Sequence, residues 1–185
     1  MVHYVNLPLT EEKARQLRCG DTVYLTGEVY TSRDAGHKRM VELLSRGEDL
    51  PFDPQNATIY YVGPSPARPG QVIGSAGPTT SGRMDAYAPR LLSVGARGMI
   101  GKGARSAEVI EAMKGHSGVY FGAIGGAGAL LAKCIKKAEL IAWEDLQSEA
   151  LRKLWVENMP LVVVIDCEGN DLYEKGRADY LAVVK

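Results

Sequence analysis

The chain has 185 residues, 22 basic and 22 acidic, so its formal net charge is zero. That length supports one domain with a real core, and 45% hydrophobic with 24% charged residues is the balance of an ordinary globular protein. The even charge excludes a long-range field toward nucleic acid or an anionic membrane. Neither is expected as a partner, and any anion site must be local.

No basic segment followed by an apolar core opens the sequence, so no signal peptide is expected and the protein reads as cytoplasmic. The most apolar stretch, Val119 to Ile135, is broken by Lys133 and is too short to span a bilayer. Cys19, Cys134 and Cys167 lie far apart and share no CxxC spacing. An odd count in such a chain points to reduced, structural thiols. Glycine is enriched, 21 of 185 residues against a usual ~7%. The clusters at Gly95–Gly103 and Gly115–Gly128 mark tight turns and close backbone approaches.

In chain order, LTEEKARQLR reads as a short helix capped by Thr10, with Glu11 and Glu12 at the positive end of its dipole. Asp21–Ser32 alternates apolar and polar residues as a half-buried strand does. A helix follows from about Arg33 to Arg46, with an apolar stripe of Met40, Val41, Leu43 and Leu44 and a stop at Gly47. ATIYYVG and QVIGSAG are expected as strands flanking the proline-rich turn PSPARPG. A helical turn is expected after Thr80, then a break or a helix restarting with Pro89 in its first turn.

RGMIGKG reads as a short strand, SAEVIEAMKGH as a helix capped by Ser106, and GVYFGAI as a strand. GAGALLAKCIKKA is expected as a helix, ELIAW as a strand, SEALRKLWV as a helix and PLVVVID as a buried strand, with GNDLYE turning into a final short strand. This alternation predicts an α/β domain, its sheet mostly parallel or mixed and flanked by helices.

Four stretches combine residue types that carry chemistry. Gly77-Pro78-Thr79-Thr80-Ser81-Gly82-Arg83 sets hydroxyls and a guanidinium beside a helix-like start, whose free N–H groups favour anions; Arg83 can fork onto a carboxylate. The bland alternative is a helix cap followed by a solvated arginine. Ser32–Arg39 also joins a strand to a helix start. There Arg33 and His37 share a face and Asp34 can orient a cation, though solvated charges at a helix end are common. Lys102, between Gly101 and Gly103 at a strand end, can point into the crevice where α/β sheets bind ligands. The GxxxxGK[ST] spacing of a P-loop is absent. GAIGGAG, with Glu144 and Asp145 about 20 residues on, is a poor match to a dinucleotide fingerprint, because Leu131 occupies a position that wants Gly or Ala. Close packing of a helix on a strand explains those glycines better.

YTSRDAGHKR, the segment from Ile59 to Leu92, GMIGKGARS and GGAGALLAKCIKKAELIAWEDL occur in an order that resembles the β subunit of class I iron–sulfur hydro-lyases. These are the two-subunit fumarate hydratases and L-tartrate dehydratases; the same region forms the C-terminal half of single-chain class I fumarases. The resemblance covers about residues 7–175, and the pairing of GPTT-x-GRM with GKG-x-RS is its most specific part.

The resemblance implies a single swivelling β/β/α domain over residues 1–185 and an active site at an interface. It implies a [4Fe-4S] cluster ligated by a partner α subunit and not by this chain, a small C4-dicarboxylate substrate, and a β homodimer or an α2β2 assembly. Carried over by motif, Arg33 and Arg83 bind substrate carboxylates, and Thr79 and Thr80 sit over the substrate. Thr79 is the candidate for moving the C–H proton, Lys102 completes the pocket, and His37 and Asp34 lie close by. Fumarate and tartrate both present two carboxylates, so the motifs leave that choice open. A non-catalytic dicarboxylate-binding or dinucleotide-binding domain is the alternative from a different class.

Overall fold

The computed structural model describes residues 1–184. Seven strands run β1 (Val2–Asn6), β2 (Thr22–Thr31), β3 (Thr58–Tyr60), β4 (Gly98–Gly101), β5 (Val119–Gly122), β6 (Ile135–Ala142) and β7 (Leu151–Ile165). The helices are α1 (Glu11–Gln16), α2 (Asp34–Ser45), α3 (Ala88–Ser93), α4 (Ala107–His116), α5 (Gly128–Cys134) and α6 (Leu172–Val183), with 3-10 turns at Ser81–Met84 and Glu144–Glu149.

β1 to β5 pair in parallel in chain order. The sheet then closes on itself. The long β7 is antiparallel to β5 through Val162–Ile165, to β2 along most of its length, and to β6 through Leu151–Val156. A strand has two edges. β2 gives one edge to β7 and shares the other between β1 and β3, so β2, β3, β4, β5 and β7 form a ring. The mixed sheet with flanking helices is the architecture expected from the alternating pattern.

Side chains alternate across the ring with the period of two that a pleated strand imposes. Val23, Leu25, Val29, Tyr60, Ile100, Phe121, Leu154 and Val163 belong to one buried cluster. Ile59, Met99, Tyr120 and Val164 face the other way, into a second cluster with Met40 of α2, Leu91 and Leu92 of α3, and Val109 and Met113 of α4. Thr10 caps α1 by accepting from Lys13 N, and Ser106 caps α4 by accepting from Val109 N, as expected. The restart at Pro89 is also as expected, with the proline in the first turn of α3.

Four expectations need correction. SEALRKLWV is not a helix: from Leu151 it is the first half of β7. Leu151 and Leu154 have helical spacing, but this stretch pairs with β2 on one edge and β6 on the other, and double pairing overrides local propensity. The helix in GAGALLAKCIKKA ends at Cys134, and β6 begins at Ile135 and takes in the expected strand ELIAW up to Ala142, with Trp143 outside it. QVIGSAG forms no strand; Ala76 N instead donates to Gly128 O. The final strand is α6, whose N-cap Asp171 accepts from Tyr173 N.

Candidate functional site

The parallel strands β2, β3 and β4 end side by side; the chain leaves β2 through Ser32–Arg39 and β4 through Lys102, while Gly77–Arg83 comes back to the strand ends after the loop that follows β3. The space between the ends of β3 and β4 is filled in an unusual way. Tyr61 and Lys102 continue β3 and β4, and Thr79–Ser81 is wedged between them. Thr79 N donates to Tyr61 O at 2.8 Å, Lys102 N donates to Thr79 O at 3.3 Å, and Ser81 N donates to Lys102 O at 2.9 Å. Thr79 is half-buried and Thr80 exposed at the end of the sheet. The backbone N–H groups of Thr79 and Ser81 are thus engaged within the sheet and are not free for an anion.

Arg83 follows in the 3-10 turn and reaches back across the strand ends to the start of α2. Its Nε donates to Asp34 Oδ1 at 2.9 Å, and its Nη2 lies 2.9 Å from Asp34 Oδ2. The guanidinium stays about half exposed, at 52%. Arg33, the residue before α2, points the same way out of β2. Its side chain packs on the backbone of Gly63, its Nη2 is 3.9 Å from Glu149 Oε1, and its Nε is buried without a partner. Glu149 also accepts from Ala35 N at 2.9 Å, so it caps α2 where Arg33 offers no side-chain cap.

Lys102 is exposed at the end of β4. Its chain runs along the loop after β5, with Nζ 3.7 Å from where a Cβ on Gly125 would stand. Arg33, Asp34, Thr79, Thr80, Arg83 and Lys102 therefore share one edge of the sheet. His37 sits beneath this edge, fully buried, with Nδ1 3.0 Å from Arg33 O and 2.8 Å from Ser32 Oγ, and with Nε2 unpartnered. Its ring stands edge-on to Tyr61 at 5.0 Å. Burial pushes its pKa down to about 3, against the partial help of the Arg33 carbonyl, so the imidazole is neutral. A buried neutral ring shapes the turn that carries Arg33 and does not present a charge to a ligand.

The glycines after β5 serve packing at Gly128, where a Cβ would lie 2.8 Å from Gly77 N. This closeness ties the loop before Thr79 to α5. A cleft of about 670 Å³ lies between the 65–75 loop and α5–β6 and is lined by Arg68, Ile73, Lys133 and Lys136, among others. It includes none of the residues gathered at the strand ends, which form an open edge with Thr80, Arg83 and Lys102 exposed.

The cysteines do not converge. Cys19 lies near Val164 O, Cys134 near Leu130 O, and Cys167 near Ala14 O. Among the described residues, no group of three His, Cys, Asp or Glu side chains is placed to hold a metal ion.

Sequence reasoning did not assign a part to Arg105, Asp85 and Tyr120, which underlie the site. The signal was present in the arginine of GKGARS, four residues after the end of β4.

The sequence model of the family described as Fumarase C-terminus matches residues 2–176. Fumarate hydratase 2 of Leishmania major is 40% identical over 166 residues, which are 89% of this chain and 29% of that protein. The anaerobic class I fumarate hydratase of Escherichia coli (strain K12) is 39% identical over 92% of this chain and 32% of its own length. A protein of Methanocaldococcus jannaschii provisionally named L(+)-tartrate dehydratase subunit beta is 35% identical over 180 residues, 94% of this chain and 92% of that one. The chain thus spans about three-tenths of the length of the fumarate hydratases it matches, and nearly the whole of a separate subunit. With its motifs in order and the match running almost end to end, the chain belongs to the Fumarase C-terminus family.

Proposed function

We propose that residues 1–185 act as one C-terminal-type, swivelling domain. In this reading the chain is the β subunit of a two-subunit hydro-lyase that hydrates fumarate to malate reversibly. One observation carries the reading: Arg33, Arg83 and Lys102 come to the same sheet edge as Thr79 and Thr80, although 69 residues separate the first cation from the last (102 − 33). A C4 dicarboxylate needs two cationic grips a few ångströms apart. Arg83 offers a fork to one carboxylate, Arg33 takes the other, and Lys102 adds a third positive charge. Thr80 orients the substrate through its hydroxyl. Thr79 moves the C–H proton, a role in which a hydroxyl needs an adjacent group to activate it. Asp34 and His37 act on the substrate through the arginines they hold.

The open edge suits a site that a second chain completes. The scattered cysteines do not fit a [4Fe-4S] cluster, so in this reading the cluster is ligated by the partner α subunit, in an assembly such as α2β2. Among the described residues no helix is long and apolar enough to cross a membrane; a cytoplasmic location is part of the proposal. One observation favours a second substrate: the M. jannaschii relative is a separate chain of almost the same extent, so L-tartrate dehydration is the alternative.

The test is to combine the chain with a cysteine-bearing partner under anaerobic conditions and follow fumarate and L-tartrate turnover. Activity is expected only with the partner present. Robust fumarate hydration by this chain alone, free of iron, overturns the reading. Dicarboxylate binding without turnover of either substrate returns the chain to a binding module.

A further inference from the structure

Beneath the exposed edge lies a buried charge. The Arg105 side chain is wholly inaccessible, and its Nε donates to Asp85 Oδ1 at 2.7 Å. Asp85 ends the 3-10 turn that carries Arg83, and its other oxygen accepts from Ser106 N at 2.6 Å. The guanidinium lies over two rings, 5.3 Å from the centroid of Tyr61 and 4.9 Å from that of Tyr120. Tyr120 Oη is in turn 2.8 Å from Ser81 Oγ and 3.0 Å from Gly103 O, and Ser81 Oγ accepts from Lys102 N at 3.1 Å. Every contact in this set links the segment around Arg83 to the segment around Lys102, or either one to the strands below.

Burial opposes the charge on Arg105, but Tyr61 and Asp85 outweigh it and hold the guanidinium above its ordinary pKa. A buried ion pair adds little net stability compared with an apolar packing of equal volume. Its distinctive product here is geometry: two loops joined at a fixed separation.

We propose that Arg105 is a positioning residue, clamping the 3-10 turn that carries Arg83 to the Gly101–Ser106 turn that carries Lys102 through its buried pair with Asp85. The catalytic consequence rests on the proposed function; the clamp itself does not. A misplacement of about 1 Å between groups that hold a substrate costs on the order of 10²-fold in rate. Arg105→Lys keeps the charge and loses the fork and the ring-stacking plane.

The experiment measures two things on this variant: amide hydrogen exchange in the full chain alone, and steady-state kinetics with the partner. Exchange is expected to lose protection at Ser81, Lys102 and Ser106 while Met99 and Tyr120 in the strands keep theirs. kcat/KM is expected to fall about 10²-fold, mostly in kcat, because Arg83 and Lys102 retain their charges. Uniform loss of protection across the chain overturns the clamp in favour of a general core role, and so does wild-type protection at the three loop amides. If Arg105→Lys does not fold, Asp85→Asn is read by the same two measurements. A wild-type complex inactive on both dicarboxylates refutes the functional reading, while exchange still decides the clamp.

Discussion

Arg83 and Asp34 meet side-on across the ends of the strands, with Nε donating to one carboxylate oxygen at 2.9 Å and Nη2 lying 2.9 Å from the other. The pair joins the turn after β3 to the first turn of α2, 49 residues apart. Asp34 occupies one edge of the guanidinium and leaves the rest toward solvent. Asp34→Ala should therefore free Arg83 to swing, raising KM for the dicarboxylate while barely changing stability. Exposed pairs of this kind contribute about 0–1 kcal/mol to folding. Kinetics and a thermal melt check both halves; an unchanged KM means that Asp34 does not position Arg83.

Arg83→Lys should damage catalysis nearly as much as Arg83→Ala. Lysine keeps the charge and loses the two parallel N–H donors. Hydrogen bonds to charged groups contribute roughly 1.5–3 kcal/mol, so losing one in the transition state lowers kcat/KM by about 10- to 150-fold. Near-wild-type kcat/KM for the lysine variant would reduce Arg83 to diffuse charge.

His37 should make the fold sensitive to mild acid. Its folded pKa is depressed to about 3 from an ordinary 6.5. Above the ordinary value both states are neutral and the residue contributes no pH dependence. As pH falls below it, the unfolded chain takes a proton that the folded chain refuses. Stability then drops by about 1.4 kcal/mol per pH unit until the folded value is reached. His37→Asn places an amide where Nδ1 donates and cannot titrate, so its denaturation midpoint should fall less steeply between about pH 6.5 and 4.5. Equal slopes for the two proteins would show that some other group sets the acid response.

The residues gathered at the strand ends were easier to single out than the strand order beneath them. Arg33, Thr79, Arg83 and Lys102 each stand next to a glycine, a proline or a helix start, and such punctuation survives in a single sequence. The first half of β7 did not show, because one of its edges is filled by β2, which begins more than 100 residues upstream, and the other by β6, which immediately precedes it. That pairing is non-local and leaves no periodic trace in SEALRKLWV. α6 was legible and overlooked: Asp171 followed by Glu174 is a cap with an acidic residue in the first turn. The Arg105–Asp85 pair lies between the two. Both residues could be read, but only the closed sheet brings them together.

Gly63 should be intolerant of even a methyl group, for a reason separate from backbone strain. A Cβ there would lie 2.6 Å from Arg33 Nη1 and 2.9 Å from its Cδ, both distances far too short for contact. The atoms displaced are the far end of a flexible side chain, and Ser148 O at 3.3 Å is the nearest backbone obstacle. Gly63→Ala should therefore fold, with Arg33 pushed off its present course along the sheet edge. A carboxylate held by Arg33 would lose its partner or meet it in a different place. Removing one charge-assisted contact of about 1.5–3 kcal/mol predicts a loss in kcat/KM of about 10- to 150-fold, with a melting temperature close to wild type. Arg33→Ala should reproduce the loss, and adding Gly63→Ala to it should change nothing further, because the obstructed side chain is gone. Additive losses in the double variant would mean that Gly63 acts on the site by another route than Arg33.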